Sequence, residues 1–406
     1  MLTHAHSIDQ SPSPTTPARA TSGPELAERA RRLAPLLATH APEAERRRRP
    51  LDAVIHALEE AEIFKLMVPA CYGGLELDLD TFFEVGVALA EGDAAAAWVA
   101  NFYVEHNWIL CQFPESFQRE LFAARSYVLA PAMVAPAGRA VREGDGYRLN
   151  GRWKWASGIS HGDWVIPGAL EMTSDGRPNP LWFALPAAEV KVEDTWYVSG
   201  MIGTGSSDVV VEDVYIPAER SVSMLDLGSG HGPGALLHDG PLYRTPMIPI
   251  LTMAAAMPAL GQARASVRRF RERLTERVLI ETANRQAERP GAQMRLARLE
   301  VEVREAELLM RDAMEDVCAR RNRATIEDRA RWATQFAIAV DRCKKVIQGA
   351  CEASGAHAHL QSSPLQRALR DVNALACHAL FNLDNRFEGY GRVLLGMDPG
   401  PLATLL

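Results

Sequence analysis

The stretch Trp153-Lys154-Trp155-Ala156-Ser157-Gly158-Ile159-Ser160-His161-Gly162-Asp163-Trp164 (WKWASGISHGDW, residues 153–164) decides the fold class. Tyr147, Leu149, Trp153 and Trp155 occupy odd positions, the period of a β-strand, which predicts that the two tryptophans share one face. Ser157-Gly158 interrupts the alternation with residues that favour turns. Just upstream, Gly144-Asp145-Gly146 signals a hairpin. Downstream, Trp164-Val165-Ile166 and Asp208 to Ile216 (DVVVEDVYI) supply further strands. Residues 126–226 therefore read as a β domain of short strands.

Both flanks have helical periodicity. In residues 25–125, Leu51, Val54, Ile55 and Leu58 recur at the spacing of one buried helix face, and Ala94 to Val99 reads as a close-packed helix. Residues 227–241 contain five glycines and two prolines and read as a flexible loop. Long helical patterns then cover 251–283, 292–322, 326–353 and 364–395, which predicts a four-helix bundle over 242–406. Residues 1–24, rich in Ser, Thr, Pro and Ala, read as a disordered leader. No internal repeat is evident.

The whole-chain properties narrow the function. A length of 406 residues calls for two or three domains. A net charge of −7 argues against non-specific binding to nucleic acid or anionic membrane, and the run Arg46 to Arg49 follows Glu43 and Glu45 as a solvated junction would. Six scattered cysteines form no Cys-x-x-Cys pair, which fits free thiols in a cytoplasmic protein. No stretch has the length and apolarity of a membrane span or signal peptide. His357 and His359 are too few for a metal site, so no metal is expected. No Gly-x-Gly-x-x-Gly follows a strand, since Gly203-Thr204-Gly205 runs on into Ser206-Ser207-Asp208.

The order α, β, helical bundle carries four local motifs. These are Phe64 to Pro69 followed by Tyr72-Gly73-Gly74; the 153–164 stretch; Gly203 to Asp208 with Val211 to Val214 and Ile216-Pro217; and Pro364 to Arg367 with Arg370-Asp371. Together they resemble the acyl-CoA dehydrogenase superfamily over residues 25–400. The resemblance implies an N-terminal α domain, a central β-barrel-like domain and a C-terminal four-helix bundle, with flavin between the last two and assembly as a homotetramer.

Two branches of that superfamily differ in their chemistry. Dehydrogenases need a carboxylate base, which most of them place eight residues after the Asp of the Arg-Asp pair. Here that position is Ala379, preceded by His378, and Tyr243 to Gly261, where other dehydrogenases carry the base, contains no carboxylate. His378, and Ser157-Gly158 ahead of His161, resemble instead the oxygenase components of two-component flavin-dependent monooxygenases such as 4-hydroxyphenylacetate 3-hydroxylase and a related steroid-ring hydroxylase. That branch takes reduced flavin (FMNH2 or FADH2) from a separate NAD(P)H:flavin reductase. With O2 as co-substrate it works through a C4a-hydroperoxyflavin to hydroxylate aromatic or polycyclic hydrophobic substrates.

The resemblance assigns roles residue by residue. His378 stands as a donor near the reacting oxygen, Ser157 beside the flavin with Gly158 and Trp155, and His106 toward the substrate's hydroxyl. Arg244, Met247 and Ile248 open an apolar segment on the substrate side. Each has a plainer alternative: a satisfied core or surface histidine, a turn-forming serine, a core tryptophan. The phenol-binding serine of those hydroxylases has no clear counterpart, because Ala130-Pro131-Ala132-Met133 occupies its place. Rival functions are a dehydrogenase or oxidase with another base, an N- or S-oxygenating monooxygenase, and a non-catalytic flavin-binding paralogue.

Overall fold

The computed structural model of the protein describes residues 21–173, 176–278 and 285–400. The leader expected over 1–24 lies outside these residues up to position 20, and the first helix already begins at Gly23. Five helices form the N-terminal part: α1 (Gly23–Arg47), α2 (Asp52–Glu60), α3 (Leu79–Gly92), α4 (Ala94–Leu110) and α5 (Glu115–Leu121). Asp93 separates α3 from α4 by accepting the Ala96 N–H at 2.8 Å, an N-cap that satisfies one of the free donors of the first turn.

The β region contains β1 (Ala132–Glu143), β2 (Gly146–Ala156), β3 (Trp164–Met172), β4 (Pro178–Phe183), β5 (Leu185–Pro186), β6 (Lys191–Glu193), β7 (Ser207–Pro217) and β8 (Ser221–Ser223). They form a mixed sheet in the order β6-β7-β2-β1-β3-β4-β8, with β5 on β3. Among the described residues, only the β1–β3 pairing is parallel. The predicted hairpin joins β1 to β2, with Glu143 opposite Gly146 and Gly144 at φ +59°, a conformation that glycine adopts without a Cβ clash. Tyr147, Leu149, Trp153, Phe183, Val209 and Ile216 belong to a core separate from that of the helices.

Two expectations are corrected. The 227–241 segment is not a featureless loop, because it holds parts of two short helices, α6 (Met224–Ser229) and α7 (Pro233–Leu237), and enters a turn at Pro241–Arg244. Ser223 Oγ caps α6, Gly230 at φ +75° ends it, and Pro233 opens α7 with its fixed φ. The bundle has α8 (Met247–Glu276), α9 (Pro290–Arg320) and α10 (Ile326–Ser354), but the fourth pattern is two helices, α11 (Pro364–Leu375) and α12 (Leu383–Leu394). After Pro364 at its start, the 364–395 pattern contains no proline to announce that break. Side-chain caps make it: His378 Nδ1 accepts the Leu380 N–H at 3.3 Å, and Asn382 Oδ1 accepts the Asn385 N–H at 3.0 Å.

Arg370-Asp371 on α11 clamps three parts of the molecule. Arg370 pairs with Glu45 of α1 at 2.5 Å and donates to the Ser199 carbonyl at 3.0 Å, while Asp371 accepts the Met201 N–H at 2.6 Å. Burial, with Asp93 close by, pushes the Asp371 carboxyl up to about 7. A carboxyl raised in the folded state holds its proton more tightly there than in the unfolded chain. Its contribution to stability is therefore complete below the ordinary value of 3.8 and is lost as pH rises through about 7. Asp371→Asn, neutral throughout, is expected to flatten the fall in melting temperature between about pH 5 and about pH 8. Thermal melts of both proteins across that range check it, and parallel curves refute it.

Helices α3 and α8 meet at Gly261, where an added Cβ would lie 2.4 Å from the Ala90 Cβ and 2.6 Å from the Val87 carbonyl oxygen. Gly261→Ala is expected to destabilise the fold by roughly 1–3 kcal/mol, although alanine gains about 1 kcal/mol in helix propensity. Gly291→Ala, in the open first turn of α9, meets nothing within 4 Å and should be neutral or stabilising. Denaturant titration of the pair reads the difference directly.

Candidate active site

Helix α4 is buried on nearly every side; of its residues only Ala96 and Phe102 are not fully buried. Its polar side chains must therefore find partners inside the protein. Asn101 donates to the Ala254 carbonyl of α8 at 3.3 Å, Asn107 to the Val128 carbonyl at 2.9 Å, and Tyr103 to the Gly158 carbonyl at 2.5 Å. Trp98, Phe102 and His106 recur every four residues and make one aromatic stripe. Trp98 meets Phe102 edge-on at 4.6 Å, and Phe102 stacks on His106 at 5.4 Å.

Trp98 joins two of the residues singled out in the sequence. Its indole N–H donates to Ser157 Oγ at 3.1 Å, and its ring lies edge-on to His378 at 5.8 Å. Ser157, His378 and His106 therefore sit along one line of aromatic contacts, although their chain positions are far apart.

The end of β2 differs from the simple alternation. The register against β7 shifts between Trp153 and Ala156, and Trp155 has φ +69°. The bulge turns the two tryptophans apart: Trp153 is 1% exposed in the sheet core, and Trp155 is 62% exposed. They do not share a face. Ser157 Oγ also lies 2.8 Å from Ser206 Oγ, which in turn lies 2.7 Å from Thr204 Oγ1. Gly158 sits at φ +79°, donates to the Thr204 carbonyl at 2.9 Å, and leaves no room for a Cβ, which would lie 2.5 Å from the Tyr103 hydroxyl.

His378 caps its own turn instead of riding on a continuous helix. Because Nδ1 accepts the Leu380 N–H, the neutral ring carries its hydrogen on Nε2. Burial, and secondarily the Arg386 charge, push its pKa down to about 4. His106 is the reverse. Its Nδ1 lies 2.6 Å from the Ala130 carbonyl, which can only accept, so Nδ1 carries the hydrogen and Nε2 keeps its lone pair. Burial pushes the His106 pKa down to about 3. At neutral pH the two rings are uncharged and of opposite tautomer, one offering a donor and the other an acceptor.

Met247 and Ile248 are buried at the start of α8, where Met247 Sδ receives the Trp182 indole N–H at 3.2 Å. Arg244 is not drawn into the cluster; it donates to the Asp239 carbonyl at 3.0 Å in the preceding turn. A cavity of about 380 Å³ lined by Phe270, Arg289 and Arg295 shares no residue with the cluster. Sequence reasoning missed Trp98, Phe102, Thr204, Ser206 and the buried Glu105. Thr204 and Ser206 lie in the Gly203 to Asp208 motif, and Trp98 and Phe102 are legible in the sequence from their spacing of eight and four residues ahead of His106.

The cluster fits a flavin. An exposed indole on a left-handed backbone offers a flat apolar face, Ser157 offers an anchored hydroxyl, Gly158 at φ +79° fixes the turn that carries it, and His378 adds a neutral N–H donor. The residues that would hold it are thus Trp155, Ser157, Gly158 and His378.

Comparison with known proteins identifies the family. Residues 253–383 match the family described as acyl-CoA dehydrogenase, C-terminal domain. A pigment production hydroxylase from Rhodococcus sp. is 32% identical, the match spanning 92% of this chain and 97% of that protein. An FADH(2)-dependent resorcinol hydroxylase, oxygenase component, from Rhizobium sp. is 29% identical, over 94% and 97%. The structure of XiaF from Streptomyces sp. in complex with FADH2 and glycerol superposes with a TM-score of 0.85 at 30% identity, covering 93% of this chain and 96% of that one. With the fold and near full-length similarity in agreement, the chain belongs to the acyl-CoA dehydrogenase superfamily, in its branch of flavin-dependent monooxygenase oxygenase components.

Proposed function

We propose that this protein is the oxygenase component of a two-component system that hydroxylates an aromatic or polycyclic hydrophobic substrate bearing a hydroxyl group. The observation that carries the reading is the convergence of Ser157, His378 and His106 on the α4 stripe, with alanine at 379 where a dehydrogenase needs its carboxylate. Reduced flavin, when bound, supplies the electrons that activate O2 for transfer of one oxygen atom. The chain's own groups do the rest. Ser157, fixed by Trp98 and Ser206, holds a hydroxyl at the cofactor. His378 presents a neutral N–H donor, which attracts a polarised oxygen without placing a cation in the site. His106 Nε2 keeps a lone pair that can accept from a substrate hydroxyl, and Met247, Ile248 and Phe102 supply apolar walls that keep water out.

The partner is a separate NAD(P)H:flavin reductase, in keeping with the lack of a nicotinamide fingerprint in the sequence. No helix among the described residues is long and apolar enough to cross a membrane, and the free cysteines suit a cytoplasmic location. A homotetramer built through the bundle would cover the exposed apolar stripe Met294, Val301 and Leu308 on α9 and the exposed Phe387, Leu394 and Leu395 at the α12 end.

The protein is expected to consume O2 only when reduced flavin is delivered, with any unrelated flavin reductase sufficing. An oxygen electrode with NADH, with and without reductase, checks this, and turnover without reductase would falsify it. Ser157→Ala removes a hydrogen bond to a polarised group, worth roughly 1.5–3 kcal/mol. The hydrogen peroxide released per product formed should rise by about one to two decades if that loss falls on one competing barrier. His378→Ala is expected to uncouple O2 use from oxygenation while reduced flavin still binds. His378→Asn, which retains an N–H donor, should recover part of the coupling. Peroxide yields equal to wild type in all three variants would remove both residues from the reaction.

A further inference from the structure

Among the buried polar groups of α4, one carboxyl breaks the pattern of pairing. Glu105 is fully buried, and neither of its oxygens makes a hydrogen bond. Its carboxyl lies beside His106, whose Nε2 is 3.2 Å from Oε2, close enough for a hydrogen bond but not aligned for one. The helix turn places Glu105 on the face that carries Asn101 and Trp108, which donate to Ala254 and Leu242 in and just before α8. The carboxyl therefore faces the start of α8, where Met247 and Ile248 are buried. No charged group acts on it from α3, α8 or the 126–131 segment; burial alone drives its pKa well above the carboxylate range. His106 likewise feels only burial and the Ala130 carbonyl.

We propose that Glu105 acts through His106 as its proton-sharing partner, the two side chains holding one proton in common and together receiving the proton of a substrate hydroxyl. The inference rests on the oxygenase reading for the identity of the substrate. The lone pair on Nε2 and the isolated carboxyl complement one another. With the shared proton on Glu105 both groups are neutral, and with it on Nε2 they form an ion pair; neither form leaves a single buried charge. When a substrate hydroxyl ionises, the shared proton stays on Glu105 and its contact with Nε2 opens, freeing the one Nε2 lone pair; the substrate O–H bond breaks, its oxygen keeps the electron pair, and a new N–H bond forms at Nε2. Glu105 then keeps its own proton, and the imidazolium balances the charge of the substrate oxygen. Glu105 is a positioning residue, and His106 is the group that meets the substrate.

The test uses the full chain with 4-nitrophenol as the probe, because its ionised form is coloured. In the wild type, bound 4-nitrophenol should ionise at a lower pH than the free compound. In Glu105→Gln, which is nearly isosteric but cannot share a proton, the midpoint should move up by about one pH unit or more. Histidine-selective nitrogen NMR should show the His106 Nε2 resonance between the bare and protonated limits, and moving in the variant. Glu105→Leu, which removes the orphaned carboxyl, should raise the melting temperature and also lose the shift in bound phenol. Equal midpoints in wild type and Glu105→Gln, an unmoved His106 resonance, or no binding of the phenol overturns the proposal. Turnover is read separately: a protein that ionises bound phenol through the pair yet fails to oxygenate with supplied reduced flavin counts against the oxygenase reading and leaves the pair intact.

Discussion

A helix enclosed by protein has no solvent face on which to leave polar atoms, and in α4 this constraint organises the molecule. The side-chain hydrogen bonds of α4 reach three neighbours: Trp98 and Tyr103 reach the Ser157-Gly158 turn, Asn107 and His106 the 128–130 approach to the sheet, and Asn101 and Trp108 the first part of α8 and the turn before it. The helix is thus a template on which the sheet and the bundle are aligned. A side chain that must pair in only one geometry fixes the relative position of two elements more tightly than apolar packing alone, which tolerates sliding. Glu105 is the exception, a buried carboxyl whose oxygens make no hydrogen bond.

The electrostatic character of the site follows from the same enclosure. Two histidines in low-dielectric surroundings are both held neutral, so neither ring adds a cation to the site, and the fixed positive charge felt by His378 is that of the buried Arg386. What differs between them is the tautomer, and this is set by backbone partners outside the site: a carbonyl at Ala130 and an amide at Leu380. The fold therefore supplies a donor at one end of the aromatic stripe and an acceptor at the other. Both are oriented before any ligand arrives, which is the form of preorganisation that spares reorganisation during a reaction.

The layer order was legible because each layer imposes its own period, and the 143–146 hairpin was legible because its turn needs a glycine. His378 was legible through what it displaces, a carboxylate that dehydrogenase chemistry requires. The details that shape the site were not. Alternation implies that Trp153 and Trp155 agree in direction, but one extra residue in the β2–β7 ladder reverses the second, and bulges carry no obligatory residue type. Helical periodicity ran through 376–382 because the interruption is made by side-chain caps, His378 and Asn382, whose effect depends on rotamers instead of composition. Glu105 was invisible for a related reason: a glutamate on a helix reads as solvated until the neighbouring elements are in place.

The left-handed backbone at Trp155 has a consequence for how this protein can change. A bulky residue at positive φ is held at a cost of order 1–3 kcal/mol, and here its ring is left largely in solvent, where it gains little from burial. Glycine at that position would relieve the strain at once. Laboratory evolution under heat, with survival of the fold as the sole criterion, would accordingly be drawn to replace this residue early. The thermostable descendants would retain their sheet and bundle while losing the aromatic surface against which a flat cofactor could lie. Durability and chemistry pull in opposite directions at a single codon, and any stabilisation campaign on this scaffold should hold position 155 constant.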